Sequence, residues 1–122
     1  VNSLYALHEA LVMVQEEGLE NCWIRHENNH LRLKEGLSSL GITFIVDEQH
    51  RLPQLNAVSI PEGVSDSLVR EQLLNQFNLE IGAGLGQLAG KVWRIGLMGH
   101  ASNAKNVDYC INALASVLKK AA

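Results

Sequence analysis

The sequence predicts an α+β domain: a small, mainly antiparallel four-stranded sheet with helices packed on one face. Three observations predict it. Apolar residues recur at three- and four-residue steps near both ends of the chain, and short β-branched segments bounded by glycine or proline lie between them. Of the 122 residues, 47% are hydrophobic and 19% are charged, which is typical of one folded domain over residues 1–122. The predicted element order is ααββαββα.

Two helices open the chain. The first is predicted from about Ser3 to Glu17, where Gly18 ends it. The second is predicted from about Leu19 to Leu40, and Gly41 follows it in a position that suits a left-handed cap. The apolar stripe of the first helix consists of Leu4, Leu7, Leu11 and Val14. That of the second helix consists of Leu19, Trp23, Leu33, Leu37 and Leu40.

Two strands and a third helix are predicted next. "ITFIV" (Ile42–Val46) and "NAVSI" (Asn56–Ile60) are rich in β-branched residues, and Pro61 and Gly63 end the second of them. Ser65 is a suitable N-cap for the third helix, because its side-chain oxygen can accept a hydrogen bond from the first helical turn. The apolar face of this helix includes Leu68, Leu73 and Phe77.

A glycine-rich loop separates the last two predicted strands, "LEIGA" (Leu79–Ala83) and "KVWRIGL" (Lys91–Leu97). Alternation in the second of these strands sends one set of side chains toward the helices and the other set to the opposite face. The set facing the helices is Trp93, Ile95 and Leu97. The opposite set is Val92, Arg94 and Gly96.

A final helix is predicted to begin at Ser102 or Asn103. Lys119 and Lys120 fall in its last turn, where the helix dipole favours cations. Its inward-facing residues are predicted to be Val107, Cys110, Ile111, Leu114, Val117 and Leu118.

His26, Glu27 and His30 satisfy the H-E-x-x-H pattern of zinc peptidases within the second predicted helix. Residues four apart share a helix face, but a catalytic zinc also needs a third protein ligand. Only His50 or Glu48 is available, and only if a loop folds back. Both histidines fall on the apolar stripe of their helix, which is more typical of packed, hydrogen-bonded histidines than of metal ligands. We therefore predict no metal site.

The loop "IGAGLGQLAGK" (Ile81–Lys91) resembles two phosphate-binding motifs without satisfying either. Gly84, Gly86 and Ala89 match G-x-G-x-x-A, yet a dinucleotide fingerprint continues into a helix, and here a strand follows. The P-loop pattern fails because Leu85 occupies its first glycine position. We expect these glycines to permit positive φ or a close approach of backbone to a ligand or a neighbouring domain.

Arg94 is the residue of greatest interest outside the predicted core. It is predicted mid-strand on the face away from the helices, beside the small residue Gly96. An arginine in this position forms either an interface salt bridge or a planar fork directed at a carboxylate. Periodicity alone leaves both alternatives open.

Charge and cysteine content exclude several classes of partner. The net charge of −3 gives no basic surface, so we predict no nucleic-acid partner. Apolar runs are too short to cross a bilayer, and the N-terminus resembles no signal peptide, so we predict no membrane partner. Cys22 and Cys110 lie on separate predicted helices without metal-ligand spacing, which indicates a buried, reduced pair and an intracellular protein.

Longer segments carry a more specific signal. "GLEN.W", "HRLPQLNAVSIPEGV", "FNLEIGAGLGQLAGKVWRIGLMGH" and the spacing between them resemble the alanine–glyoxylate (serine–pyruvate) aminotransferases. These are class V members of the fold-type I pyridoxal-phosphate enzymes. The resemblance covers nearly the whole chain and corresponds to the C-terminal small domain of the family. It implies that residues 1–18 form a linking helix from an absent large domain, which fits a chain that opens without an initiator Met.

The resemblance also implies roles for particular residues. In the family, the arginine of the "RIGL" strand binds the α-carboxylate of the substrate, and that arginine corresponds to Arg94. The loop containing Gly82, Gly84 and Gly86 would lie close to the substrate. The coenzyme is held by a lysine and an aspartate of the large domain, so no catalytic or cofactor-binding residue is expected in this chain. Pyridoxal phosphate is expected only in the full-length enzyme.

The implied partners are the large coenzyme-binding domain of the same protein, a second subunit in a homodimer, and a small amino acid or 2-oxo acid. The parent protein would be a transaminase of the cytoplasm or, in a eukaryote, of the peroxisome. An alternative hypothesis is that the isolated chain is a catalytically inert module kept for folding, assembly or engineering. A zinc peptidase, suggested by the histidine pattern, is the third hypothesis.

Overall fold

The computed structural model describes residues 1–121, including the side chains of residues 1–119, so the predicted side chain of Lys120 lies outside the described residues. The helices are α1 (Asn2–Glu17), α2 (Leu19–Ser39), α3 (Asp66–Phe77) and α4 (Ala104–Ala121). The strands are β1 (Leu55–Ser59), β2 (Gly82–Ala83) and β3 (Val92–Gly96). Single 3₁₀ turns lie at Glu48–His50, Gly86–Leu88 and Gly99–Ala101.

The three strands of the described chain form one antiparallel sheet in the order β1–β3–β2. Strand β3 is therefore central, and its residue Arg94 pairs with Ala57 on one side and with Gly82 on the other. The predicted α+β class is confirmed. The prediction of four strands in the order ααββαββα is not confirmed, because the described helices and strands follow the order ααβαββα.

The segment Ile42–Val46, predicted as a strand, lies along the outer edge of β1 without joining the sheet as a strand. Its one β-bridge pairs Phe44 with Val58. The amide of Thr43 donates to the side-chain oxygen of Ser59 at 3.2 Å, where a strand ladder would offer a backbone carbonyl. Because a side chain replaces the regular backbone partner, the ladder stops there.

The predicted strand Leu79–Ala83 is shortened to Gly82–Ala83 because its first residue completes the end of α3. Asn78 adopts a left-handed conformation with φ of 51°. The amides of Asn78 and Leu79 then donate to the carbonyls of Leu74 and Leu73, at 3.0 and 3.2 Å. The first bond is that of an αL C-cap, and the second uses the amide of Leu79, so Leu79 cannot donate that amide to a sheet.

Both predicted caps of the later helices have a counterpart in the structure. The Ser65 side chain accepts from the amide of Leu68 at the start of α3, at 3.5 Å. Asn103 accepts from the amide of Asn106 at the start of α4, at 2.8 Å, so Asn103 rather than Ser102 caps that helix. In the part of the chain that the structure describes, every helix is too short or too polar to cross a membrane.

The hydrophobic core lies between one face of the sheet and helices α2, α3 and α4. Strand β3 directs Trp93 and Ile95 into it, as its alternation predicts, and neither is more than 4% exposed. The Trp93 indole N–H donates to the Asp66 carboxylate at 2.9 Å, which satisfies its polar atom at the start of α3. The other core residues are Leu33, Leu37, Ile42, Val58, Val69, Leu73, Ile81, Leu97, Val107, Cys110, Ala113, Leu114 and Val117.

Helix α1 lies outside this core, so the predicted packing of helices on one face of the sheet does not extend to α1. Each of its side chains, all of which the structure describes, remains at least partly exposed. Its sequence stripe is intact, but the helix contacts chiefly the start of α2 and not the sheet. The first turns of α2 behave similarly, because Leu19 and Trp23, predicted on the inward stripe, are 54% and 58% exposed.

Candidate functional site

Arg94 lies on the face of β3 that no helix covers. Its neighbours across the strands are Ala57 on β1 and Gly82 on β2, both of them small. The next residue on the same face of β3 is Gly96, which is exposed. Small residues on three sides leave the half-buried guanidinium accessible at the surface of a rigid sheet.

The Arg94 side chain is fixed at one nitrogen and open at the other two. Its Nε–H donates to the carbonyl oxygen of Ala83 at 2.7 Å. Among the residues that the structure describes, no carboxylate forms a salt bridge with Arg94, and no acceptor binds its Nη1 or Nη2. Both Nη groups are therefore available to an acid from outside the described residues, which fits an interface salt bridge as well as a bound carboxylate.

Gly82 controls the space beside this guanidinium. A Cβ added at Gly82 would lie 3.2 Å from the Arg94 carbonyl oxygen, 3.3 Å from its Cβ and 3.4 Å from its Nη2. These distances are tighter than ordinary contacts, so any larger residue would crowd the arginine. Glycine therefore lets the Arg94 side chain lie across β2 and reach the carbonyl of Ala83.

The other two glycines of the predicted site serve the loop itself. A Cβ at Gly84 would lie 2.1 Å from the carbonyl oxygen of Leu88 and 2.9 Å from Cγ2 of Val92, so the loop backbone packs closely against itself at Gly84. Gly86 has a φ of 57°, which favours glycine, and begins the 3₁₀ turn. Gly82 is the one of the three glycines whose added Cβ would crowd Arg94.

The two histidines of the H-E-x-x-H pattern are buried and hydrogen-bonded to protein groups. His26 Nδ1 lies 2.7 Å from the carbonyl oxygen of Cys22, and its Nε2 accepts from the amide of Gly99 at 3.1 Å. His30 Nδ1 lies 2.7 Å from the side-chain oxygen of Asn56, which is fully buried in β1. In the part of the chain that is described, no three metal-ligating side chains cluster together. The imidazoles thus connect α2 to the sheet and to the loop after β3.

The described lysines do not fit the attachment site of a pyridoxal coenzyme. Lys34 forms an ion pair with Glu48 near the protein surface. Lys91, Lys105 and Lys119 are exposed to solvent. A lysine that holds a coenzyme as a Schiff base is usually buried, and none of these four positions is buried.

The two cysteines are free thiols in different surroundings. Cys22 is half-buried near the start of α2, whereas Cys110 is buried in α4. Burial raises the pKa of the Cys110 thiol to about 11. A thiol with such a pKa stays protonated near neutral pH, so Cys110 is a packing residue and not a nucleophile.

Some residues around Arg94 were missed by the sequence analysis. Ala57 was predicted within a strand but was not connected to Arg94, and Ala83 was not recognised as the acceptor that fixes its Nε. The sequence does show small residues in "IGAG" and "NAV". Their position beside Arg94 follows only from the pairing register of the strands, which places Ala57 and Gly82 on either side of it.

Comparison with known proteins gives no matching family model but several close relatives. The (S)-ureidoglycine–glyoxylate transaminase of Bacillus subtilis (strain 168) is 40% identical over 115 residues, which cover 94% of this chain and 28% of that protein. The alanine–glyoxylate aminotransferase of Mus musculus is 39% identical over 120 residues, which cover 98% of this chain and 29% of that protein.

Solved structures of related enzymes have the same fold. The alanine–glyoxylate aminotransferase from Nostoc sp. superposes with a TM-score of 0.91 at 51% identity, and the match covers 93% of this chain and 30% of that one. The pyridoxamine–pyruvate aminotransferase from Mesorhizobium loti superposes with a TM-score of 0.85 at 25% identity, and the match covers 91% of this chain and 29% of that one.

The chain spans about 30% of the length of these relatives, and the portion that it matches is C-terminal. Identity near 40% extends across almost all of the 122 residues, and the folds superpose over the same range. On these grounds the chain is a homologue of the C-terminal portion of the alanine–glyoxylate and ureidoglycine–glyoxylate aminotransferases.

Proposed function

We propose that this chain acts as the C-terminal domain of a pyridoxal-phosphate-dependent alanine–glyoxylate (serine–pyruvate) aminotransferase, in which Arg94 binds the α-carboxylate of the substrate. The observation that carries the proposal is the guanidinium fork, held at Nε by Ala83 and open at both Nη groups. The relatives support the reaction class, because they are glyoxylate and pyruvate aminotransferases.

A carboxylate is the ligand that best fits this fork. The guanidinium is planar and permanently charged, and two parallel N–H groups match the two oxygens of a carboxylate. Arg94 lies on the central strand, and its Nε is already hydrogen-bonded. Its side chain therefore loses less conformational entropy when a ligand binds. An amino acid and its 2-oxo acid share the same carboxylate, so one arginine serves both halves of a transamination.

The contribution of Arg94 is orientation. A carboxylate bound through two hydrogen bonds cannot rotate freely, so the adjacent carbon and its amino or oxo group point in a fixed direction. Arginine stays protonated throughout the accessible pH range and therefore transfers no proton itself. The backbone of the neighbouring loop would lie close to the bound substrate, which its glycines Gly82, Gly84 and Gly86 would permit.

The rest of the enzyme would supply the coenzyme site. Pyridoxal phosphate provides the electron sink for the reaction when it is bound, and its lysine would come from the large domain. The uncovered apolar stripe of α1 supports this arrangement, since residues 1–18 would pack against that domain and against the second subunit of a homodimer. Two free thiols fit a reducing compartment, the cytoplasm or, in a eukaryotic parent, the peroxisome.

The proposal is tested by replacing Arg94 with alanine in the complete aminotransferase. Each lost charge-assisted hydrogen bond costs about 1.5–3 kcal/mol, so the KM for alanine or glyoxylate should rise by roughly ten- to a hundredfold or more. Arg32→Ala is a matched control, because Arg32 is an exposed arginine of α2 that pairs with Asp108. An unchanged KM in Arg94→Ala would reject the role of Arg94.

A second candidate, an inert folded module, is favoured by the exposed or paired state of the described lysines. Under this hypothesis the isolated chain binds no coenzyme, even if it descends from a transaminase. Equilibrium dialysis of the 122-residue chain against pyridoxal phosphate checks it. Saturable, stoichiometric uptake that borohydride makes permanent would contradict the inert module and would identify an unexpected lysine.

A further inference from the structure

One guanidinium connects three separate segments on the side of the molecule where α1 meets α2. Arg25 of α2 donates to both carboxylate oxygens of Glu17, in the last turn of α1, at 2.5 and 3.0 Å. Its Nη1 also donates to the carbonyl oxygens of Gly99 and Ser102, at 2.8 and 2.7 Å. Arg25 thus bonds α1 on one side and the loop between β3 and α4 on the other.

Neighbouring side chains on α2 hold the same loop. His26 Nε2 accepts from the amide of Gly99 at 3.1 Å. Asn29 donates to the hydroxyl of Ser102 at 3.2 Å, and both of these residues are buried. The loop residues 99–102 are therefore bonded to α2 at both ends, through backbone and side-chain atoms.

This loop is joined to β3 by a very short connection. Strand β3 ends at Gly96, and the amide of Leu97 donates to the carbonyl of Gln54 at 2.8 Å. Only Met98 separates that bonded residue from Gly99. The position of the loop consequently limits where the end of β3 can lie, and Arg94 is two residues from that end.

A purely local role does not account for the contacts of Arg25. A helix-end contact would require Glu17 alone, yet two of the four oxygens bound by Arg25 belong to residues 74 and 77 positions away. Its side chain is 31% exposed and that of Glu17 is 30% exposed, so the pair is partly shielded from water. The hydrogen bond from Arg25 lowers the pKa of Glu17, which agrees with a charged pair.

We propose that Arg25 is a positioning residue for Arg94. Its hydrogen bonds hold α1 and the β3–α4 loop together as one rigid unit. The affinity for the substrate carboxylate then depends on the Glu17–Arg25 ion pair, which is called the clamp below. The inference rests on the proposed function, because it takes Arg94 to be the carboxylate ligand. Arg25 touches no reacting atom and acts through the end of β3. The docking of α1 onto its partner domain would then be transmitted to the substrate site.

Steady-state kinetics of the complete aminotransferase test the clamp. Arg25→Ala should raise the KM for the amino acid by on the order of tenfold, with a smaller change in kcat, because misplacement of a binding group is costly. Arg25→Lys should recover part of the loss. Glu17→Gln should have a weaker effect, and the double variant should be no worse than Arg25→Ala. Arg32→Ala, a bidentate arginine of the same helix, should change little.

Hydrogen exchange in the 122-residue chain supplies a readout that needs no activity. Arg25→Ala should speed the exchange of amides 99–103 on the order of tenfold, speed that of the last residues of β3 to a smaller extent, and leave that of α3 unchanged. Unchanged exchange in this loop would overturn the proposal. A second result would also overturn it. This is the case in which Arg94→Ala raises the KM, Arg25→Ala speeds the exchange of the loop, and Arg25→Ala nevertheless leaves the KM unchanged. If Arg94→Ala itself kept its KM, the proposed function would fail first and the inference with it.

Discussion

Helices α1 and α4 carry the same kind of sequence pattern and reach opposite outcomes. In α4 the stripe residues Val107, Leu114 and Val117 are completely buried against the sheet and the other helices. In α1 the corresponding residues Leu4 and Leu11 are 69% and 60% exposed. An amphipathic pattern therefore indicates that a helix needs an apolar partner, but it does not indicate where that partner is.

The difference separates the chain into a self-sufficient core and a surface that needs a complement. The sheet face and the helices α2, α3 and α4 close over one another within these residues. Helix α1 and the first turns of α2 expose Leu19 and Trp23 along with the α1 stripe. Since the relatives are more than three times as long as the matched region, we infer that their additional chain covers this surface.

The largest expected effect contrasts one leucine from each helix. Leu114→Ala in α4 should lower the free energy of unfolding by about 2–5 kcal/mol, because it removes packed methyl groups and leaves a cavity. Leu7→Ala in α1 should change it by no more than about 0.5 kcal/mol in the 122-residue chain. Urea unfolding followed by tryptophan fluorescence measures both. Equal losses would show that α1 is as firmly packed as α4.

A smaller, pH-dependent effect is expected at the polar edge of the core. Hydrogen bonds from Arg70 and Trp93 lower the pKa of Asp66 below its ordinary value of 3.8. Because the folded pKa is below the unfolded one, the ionised carboxylate stabilises the fold above the unfolded pKa. This stabilisation is lost as pH falls through the folded pKa. Asp66→Asn should therefore cost about 1–2 kcal/mol near neutral pH.

The pH dependence is the discriminating measurement for Asp66. The difference between Asp66→Asn and the parent chain should shrink below about pH 4 as the carboxylate takes up a proton. Asparagine keeps an acceptor for the Trp93 indole, so the loss isolates the charge. An equal difference at about pH 3 and at about pH 7 would mean that packing, and not ionisation, makes Asp66 important.

The smallest effect is expected for the ion pair that joins α2 to α4 at the surface. Arg32 and Asp108 form a bidentate pair at 2.7 and 2.8 Å, but their side chains are 51% and 47% exposed. Arg32→Ala should leave the stability almost unchanged, and high salt should remove any difference. A loss as large as that of Asp66→Asn would show that α4 is held by this pair as well as by burial.

The parts of the fold predicted correctly depend on local chemistry. The alternation of β3 placed Trp93 and Ile95 in the core and Arg94 outside it, because the period of a strand is fixed by the backbone. The cap at Ser65 followed from one side chain and the amide three residues later. These features need no knowledge of distant partners.

The errors arose where a distant partner decides the outcome. Ile42–Val46 has strand-forming residues, but Ser59 replaces a backbone acceptor and the ladder stops. Leu79 is the exception, because its acceptor is local: its amide donates to the carbonyl of Leu73 and completes the end of α3. At the candidate site, Arg94 was identified from its strand and from the family resemblance. The contacts of Arg25 with Gly99 and Ser102 bridge more than seventy residues, so no local pattern could reveal them.

The pleat of β3 has a consequence for how sequences of this kind diverge. Each neighbour of Arg94 along the strand points the opposite way, with Trp93 and Ile95 inside. A single residue gained between Trp93 and Arg94 would either turn the cation toward the core or turn the indole out to water. Changes in length should therefore accumulate in surface turns during evolution, while the spacing from Trp93 to Gly96 is inherited as an indivisible unit.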